Sequence, residues 1–119
     1  MIINGQKLDK CKPEIKTLID YLASLYGTII ITSGYRDPIY NKKVGGATHS
    51  AHITGEAVDF KVSNVSPIKL AAKVLDAAGK FPIKGMGIDV YAGYIHVDIK
   101  DRGVNRICYW AYGKNGRVA

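Results

Sequence analysis

Histidines and aspartates fall in this chain where they can do metal chemistry together. Tyr94, His96 and Asp98 alternate with Ile95, Val97 and Ile99, so a strand there turns imidazole and carboxylate to the face opposite the aliphatic residues. Ala57, Asp59 and Lys61 alternate in the same way with Val58, Phe60 and Val62. His49 and His52 precede that second stretch in a segment rich in Gly, Ser and Thr. Imidazole nitrogen and carboxylate oxygen suit a borderline-soft divalent cation such as zinc, and three such ligands leave a fourth position for water. His52, Asp59 and His96 make such a set. Each alone has a plainer reading: Asp59 as a solvent-facing strand carboxylate, His96 as a hydrogen-bonded core histidine, His49 as a polar loop residue.

The elements that must position these groups are legible from periodicity and caps. Ile15, Leu18, Ile19, Leu22, Leu25 and Tyr26 form one apolar stripe, which predicts a helix from about Pro13 to Tyr26 that Gly27 stops. Thr28 to Thr32 is β-branched and apolar, the composition of a strand covered on both faces. Asp37 followed by Pro38 predicts a capped short helix through about Val44, broken by Gly45 and Gly46, with loop onward to Thr54. Ala57 to Val62 reads as a half-buried strand. Ser66 and Pro67 open a second amphipathic helix with Ile68, Leu70, Ala71, Val74, Leu75 and Ala78 apolar and Gly79 as its stop, and residues 80–85 connect onward. Gly87 to Val90 and Tyr94 to Lys100 predict a hairpin around Tyr91, Ala92 and Gly93, and Ile107 to Tyr112 a last aromatic-rich strand. This order favours an α+β fold, a largely antiparallel sheet packed with helices and carrying the metal site on a sheet face.

Composition bounds the rest. With 119 residues, 47% hydrophobic and 23% charged, the chain is expected to form a single domain over residues 1–119 and to act as a monomer. The longest apolar run is a few residues, far short of the roughly 20 a membrane span needs. The first residues lack a basic segment followed by an apolar one, so no signal peptide is expected and synthesis is placed in the cytoplasm. Cys11 and Cys108 are read as two free thiols. The net charge of +7 is uneven: residues 1–60 hold seven Lys/Arg against six Asp/Glu, and residues 61–119 hold ten against four. The excess favours an anionic partner. No nucleic-acid motif accompanies it, so no nucleic-acid partner is expected.

Ser50, His52, Gly55, Ala57 and Asp59 fill every fixed position of an SxHxxGxAxD pattern. Ser33-Gly34-Tyr35-Arg36 lies upstream and His96-Val97-Asp98 downstream. In that order the three segments resemble the signature, SGYR segment and HxD element of the M15 peptidases, zinc D-Ala-D-Ala carboxypeptidases and murein endopeptidases of the hedgehog/DD-peptidase fold. The resemblance covers roughly residues 28–112. It implies Zn2+ held by His52, Asp59 and His96, with a peptidoglycan stem peptide as partner and substrate. It further implies an Arg36 guanidinium aimed into the cleft to bind a substrate carboxylate or carbonyl and stabilise the oxyanion, where the plain reading is a surface arginine paired with Asp37. Gly55 then permits a sharp turn into the strand, Ala57 keeps the approach to the metal open, and Ser50 binds substrate or fixes the loop.

The proton-transferring group is the open position in this pattern. Many relatives place an acid three residues before the last zinc histidine, and Gly93 stands there in this chain. Asp98 is the first candidate for the base, its alternative role being to orient a ligand or Arg36. Asp89 faces the site across the hairpin in a further alternative, Glu56 and Asp37 look solvent-facing, and His49 is a candidate for stabilising the tetrahedral intermediate. Of Tyr91, Tyr94, Tyr109, Trp110 and Tyr112, most are expected in core or sheet surface, with Tyr94 taken as the substrate-groove candidate. The expected activity is peptidoglycan peptide-bond hydrolysis by a D,D-carboxypeptidase, D,D-endopeptidase or L-alanyl-D-glutamate endopeptidase. Release at the cell wall is expected from a phage lysis system or a virion. Gly93 motivates the alternative, a non-catalytic zinc module that binds wall or a partner protein.

Overall fold

The computed structural model describes residues 1–117. Helix α1, Pro13–Tyr26, forms as the apolar spacing predicts: Ile15, Leu18, Ile19 and Leu22 are buried, while Leu25 turns outward. Pro13 occupies the first turn, where its missing N–H is no loss, and the Gly27 N–H closes the end on the Ala23 carbonyl. Helix α2, Pro38–Lys43, is capped by Asp37, whose side chain accepts from the Tyr40 N–H. Helix α3, Pro67–Asp76, is capped in the same way by Ser66. Its buried stripe is narrower than the sequence suggests, since Leu70, Ala71 and Val74 face the core but Ile68 and Leu75 are exposed.

The strands are β1 (Ile2–Ile3), β2 (Ile29–Ser33), β3 (Ala57–Lys61), β4 (Gly85–Asp89), β5 (Tyr94–Asp98), β6 (Cys108–Gly113) and β7 (Gly116–Arg117). They form one sheet in the order β1-β2-β3-β5-β4-β6-β7. The fold is α+β as expected, but the sheet is mixed: β1 runs parallel to β2 and β4 parallel to β6, with the other pairs antiparallel. The edge of β5 facing away from β4 is taken by β3, so the chain leaving β5 crosses to the free edge of β4, where its direction makes β6 parallel.

Helices α1 and α3 cover one sheet face, where Ile29, Ile31, Val58, Phe60, Ile95 and Val97 pack with the helix stripes. Burial of each such side chain contributes on the order of 1.5–3 kcal/mol. Two expectations about cover are corrected. β2 is not closed on both faces, because Ile30 and Thr32 remain half-buried. β3 is not half-buried, because Ala57 and Asp59 are as enclosed as Val58 and Phe60. The polar face of β3 is therefore the floor of a cleft. Cys11 lies in the core and Cys108 on β6, both as free thiols.

Candidate metal centre

Strand pairing sets the first two groups. Asp59 on β3 stands directly opposite His96 on β5, and Ala57 opposite Asp98, so alternation places Asp59, His96 and Asp98 on one face. His52 reaches the same place from the loop before β3. Its N–H donates to the Ser50 Oγ, its carbonyl accepts from the Arg36 and Gly55 N–H groups, and Gly55 turns the chain with φ +73°. A Cβ at Gly55 would fall 2.4 Å from the Lys10 carbonyl oxygen, so this turn admits only glycine. The Ser50 hydroxyl thus braces the His52 loop while also lining the cleft.

His52, Asp59 and His96 are buried, and one ligand atom from each lies within 4.8 Å of the others. Asp59 Oδ1 is 3.2 Å from His52 Nε2 and 2.8 Å from His96 Nδ1. Zinc with bonds of about 2.0–2.1 Å spaces its ligands about 3.3 Å apart in a tetrahedron, so small outward movements of these side chains accommodate the ion. The remaining ring nitrogens are committed. His52 Nδ1 lies 2.7 Å from the Gly34 carbonyl, and His96 Nε2 lies 2.7 Å from Asp98 Oδ2. With a metal bound, each outer partner would accept a hydrogen bond from the nitrogen beside it, leaving His52 Nε2 and His96 Nδ1 to donate lone pairs to one point. The donor set and its tautomers fit a metal ion.

Asp98 is fully buried and engaged on both oxygens: Arg102 Nη1 and Nη2 grip it at 2.7 and 2.8 Å, and His96 takes Oδ2. Burial works to raise its pKa, but the hydrogen bonds and charges of Arg102 and His96 outweigh it and hold the carboxyl well below the usual range. Arg102 Cζ also lies 5.5 Å from the Trp110 ring centroid, and that ring is 5.2 Å from the His96 ring. Arg36 points into the cleft and not at Asp37. Its Nε donates to Ser33 Oγ, its Nη1 to Asn41 Oδ1, and its Nη2 stands 3.7 Å from Asp59 Oδ2. Tyr94, Ser50, His49 and Lys100 line the same cleft, of about 720 Å³.

The other acids lie elsewhere. Asp89 caps the hairpin turn by accepting from the Tyr91 and Ala92 N–H groups, Glu56 receives the Thr54 hydroxyl, and Asp37 caps α2. Gly93 sits in the hairpin turn with open space beside it. Arg102 and Trp110 carry no periodic signal, although a basic residue four positions after Asp98 is a hint that can be sought. Trp110 comes to His96 through the parallel pairing of β6 opposite Gly87, which no local pattern announces.

A family model described as Peptidase M15 matches residues 4–98. The chain belongs to the peptidase M15 family. No curated protein and no solved structure matches it. The three groups expected to hold metal in an M15 peptidase are the three that converge here, and the cluster is that of a metallopeptidase. Arg102 and Trp110 lie beyond the matched residues.

The electrostatics of this M15 site predict a pH signature in the chelator-treated protein. Burial lowers the His96 pKa, but hydrogen bonds and charge from Asp59 and Asp98 push it up to about 9. Asp59 is likewise held well below the usual carboxylate range, with burial opposing it and His52 and His96 prevailing. An imidazolium bridging two carboxylates stabilises the fold fully below the ordinary histidine pKa of about 6.5, and the contribution is lost as pH rises through about 9. Thermal melting of the metal-free protein is expected to fall over that window, by roughly 3 kcal/mol in stability. His96→Gln removes the slope. Zinc-dependent stabilisation grows over the same window, because the metal replaces the Nδ1 proton.

Proposed function

We propose that this M15 chain is a zinc peptidase of the hedgehog/DD-peptidase type that hydrolyses peptide bonds in bacterial peptidoglycan, as a D,D-carboxypeptidase or an endopeptidase. Release at the wall from a phage lysis system or virion completes the proposal. The observation that carries it is the convergence of His52, Asp59 and His96 on the floor of a cleft whose wall presents Arg36. Zinc held there supplies Lewis acidity toward a carbonyl and acidifies water.

In this reading the side chains have distinct tasks. Arg36 brings a fixed positive charge to the edge of the ligand cluster, where negative charge develops on the substrate carbonyl oxygen. The Tyr94 phenol has its pKa raised by burial and by the Asp59 charge, so it keeps its proton and donates to substrate. Asp98 orients His96, since both its oxygens are engaged and its basicity is low. With Asp59 a ligand and Asp98 engaged, His49, which lines the cleft, is the group assigned to accept the attacking water's proton and return it to the leaving amine.

The purified protein is expected to hold about one zinc per chain and to release new amines from purified peptidoglycan. His49→Gln is expected to lower kcat about 10²- to 10³-fold with zinc content unchanged. Stoichiometric zinc with no amine release across pH would instead favour the non-catalytic wall-binding module. One observation favours that second reading: among the described residues, Asp59 and Asp98 are the only carboxylates lining the cleft.

A further inference from the structure

Three cations line the cleft over the metal ligands: Arg36, Lys100 and Arg102. Arg36 faces Asp59, and Arg102 is gripped by Asp98. Lys100 has no carboxylate within ion-pair distance among the described residues. Its ammonium donates to the His49 carbonyl. That contact holds it among the residues shared by the metal cleft and a neighbouring side cleft of about 220 Å³. Thr48, His49, Ser50 and Lys100 line both spaces, while Ile53 and Thr54 line the side cleft alone; none of these is acidic, and the neighbouring Glu56 takes the Thr54 hydroxyl.

The wall between the two spaces is held in place from behind. Asn41 is buried, donates from Nδ2 to the Ala47 carbonyl at 2.8 Å, and accepts on its backbone carbonyl from the Gly46 N–H. The Ser50 N–H then bonds the Ala47 carbonyl. Lys100 is itself half-buried, and its N–H is fixed on Asp98 Oδ1. An ammonium has three donors, and the His49 carbonyl uses one. The other two are not taken by any protein acceptor among the described residues, and Thr48, Ser50, Ile53 and Thr54 line the space beside them.

We propose that Lys100 and this side cleft form a carboxylate-binding subsite that selects the peptide substrate. The inference rests on the peptidase reading above and deepens it. A carboxylate there makes charge-assisted hydrogen bonds to a cation that has no counter-charge within ion-pair distance among the described residues. A stem peptide offers two such carboxylates, the free α-carboxylate of its glutamyl residue and its C-terminal carboxylate.

The test uses the zinc-loaded protein and three soluble stem peptides of one sequence: both carboxylates free, the glutamyl carboxylate as a primary amide, and the C-terminal carboxylate as an amide. The wild type is expected to prefer the free peptide over one of the two amides by about tenfold in kcat/KM, chiefly through KM. The amide that suffers identifies the bound group. Lys100→Gln, which keeps a donor for the His49 carbonyl, is expected to bring that ratio to about one, and Lys100→Arg to retain it. Equal preference in the wild type overturns the subsite. So does a Lys100→Gln variant that lowers turnover of all three peptides by one common factor, because the lysine then only holds the loop. If no peptide is turned over, the peptidase reading fails, and the same ratio measured by equilibrium binding of the three peptides decides the subsite separately.

Discussion

His52→Ala is expected to lower zinc content from about one ion per chain to background after dialysis and to abolish amine release from peptidoglycan. The imidazole supplies one of three protein donors, and its Nδ1 is already fixed on the Gly34 carbonyl so that Nε2 arrives in position. Loss of an outer partner of a metal ligand typically costs about 10- to 100-fold in affinity, and loss of the ligand itself costs more. The loop does not depend on the ring to close, because the His52 backbone accepts from the Arg36 and Gly55 N–H groups and donates to Ser50. The variant should therefore fold, and its failure to bind zinc should be local. His49→Gln, on the same loop, provides the contrast, since it keeps the metal. A His52→Ala protein with stoichiometric zinc and full activity would falsify the assignment of the centre.

The positions of Asp59 and His96 were readable because a strand's period of two is insensitive to context: wherever β3 and β5 lie in the sheet, their polar residues share faces. Helix α1 was readable to the residue for the same kind of reason, with proline and glycine at its ends adding local signals. What local pattern does not contain is cover. Alternation in β3 alone is also compatible with a solvent-facing Asp59, and the structure buries it because His52, His96 and Arg36 gather around it on that face. Nor does local pattern contain edge availability, which made β6 parallel to β4, or pairings as short as the two residues of β1. Asp98 shows the same limit at the level of chemistry. Its place beside His96 followed from spacing, but its role depends on Arg102, which arrives from an irregular segment and takes both carboxylate oxygens.

Arg102→Met should therefore damage both stability and the metal site. Asp98 is fully buried, and the two hydrogen bonds from Arg102 are what balance its charge on the side away from His96. Arg102 is itself partly exposed, and His96 and the Lys100 N–H still hold the carboxylate, so losing its two charge-assisted hydrogen bonds is expected to cost about 1.5–3 kcal/mol. The side chain has little room to seek a new partner, since a Cβ placed at Gly85 would lie 2.5 Å from Asp98 Oδ2 and 2.8 Å from Arg102 Nη1. Protonation of Asp98 relieves the charge but weakens its hold on His96 Nε2, so the imidazole loses the contact that presents Nδ1 to the metal. Zinc affinity, measured by competition with a chelator, is expected to fall about 10- to 100-fold. Arg102→Lys keeps the charge without the two-pronged grip and should fall between the two proteins. In the double variant Arg102→Met with Asp98→Asn, the buried charge is gone, so most of the lost stability should return while zinc affinity stays low. Stability and affinity recovering together would mean that Asp98 matters only as a charge, and an Arg102→Met protein that matches wild type in both would remove Arg102 from the site.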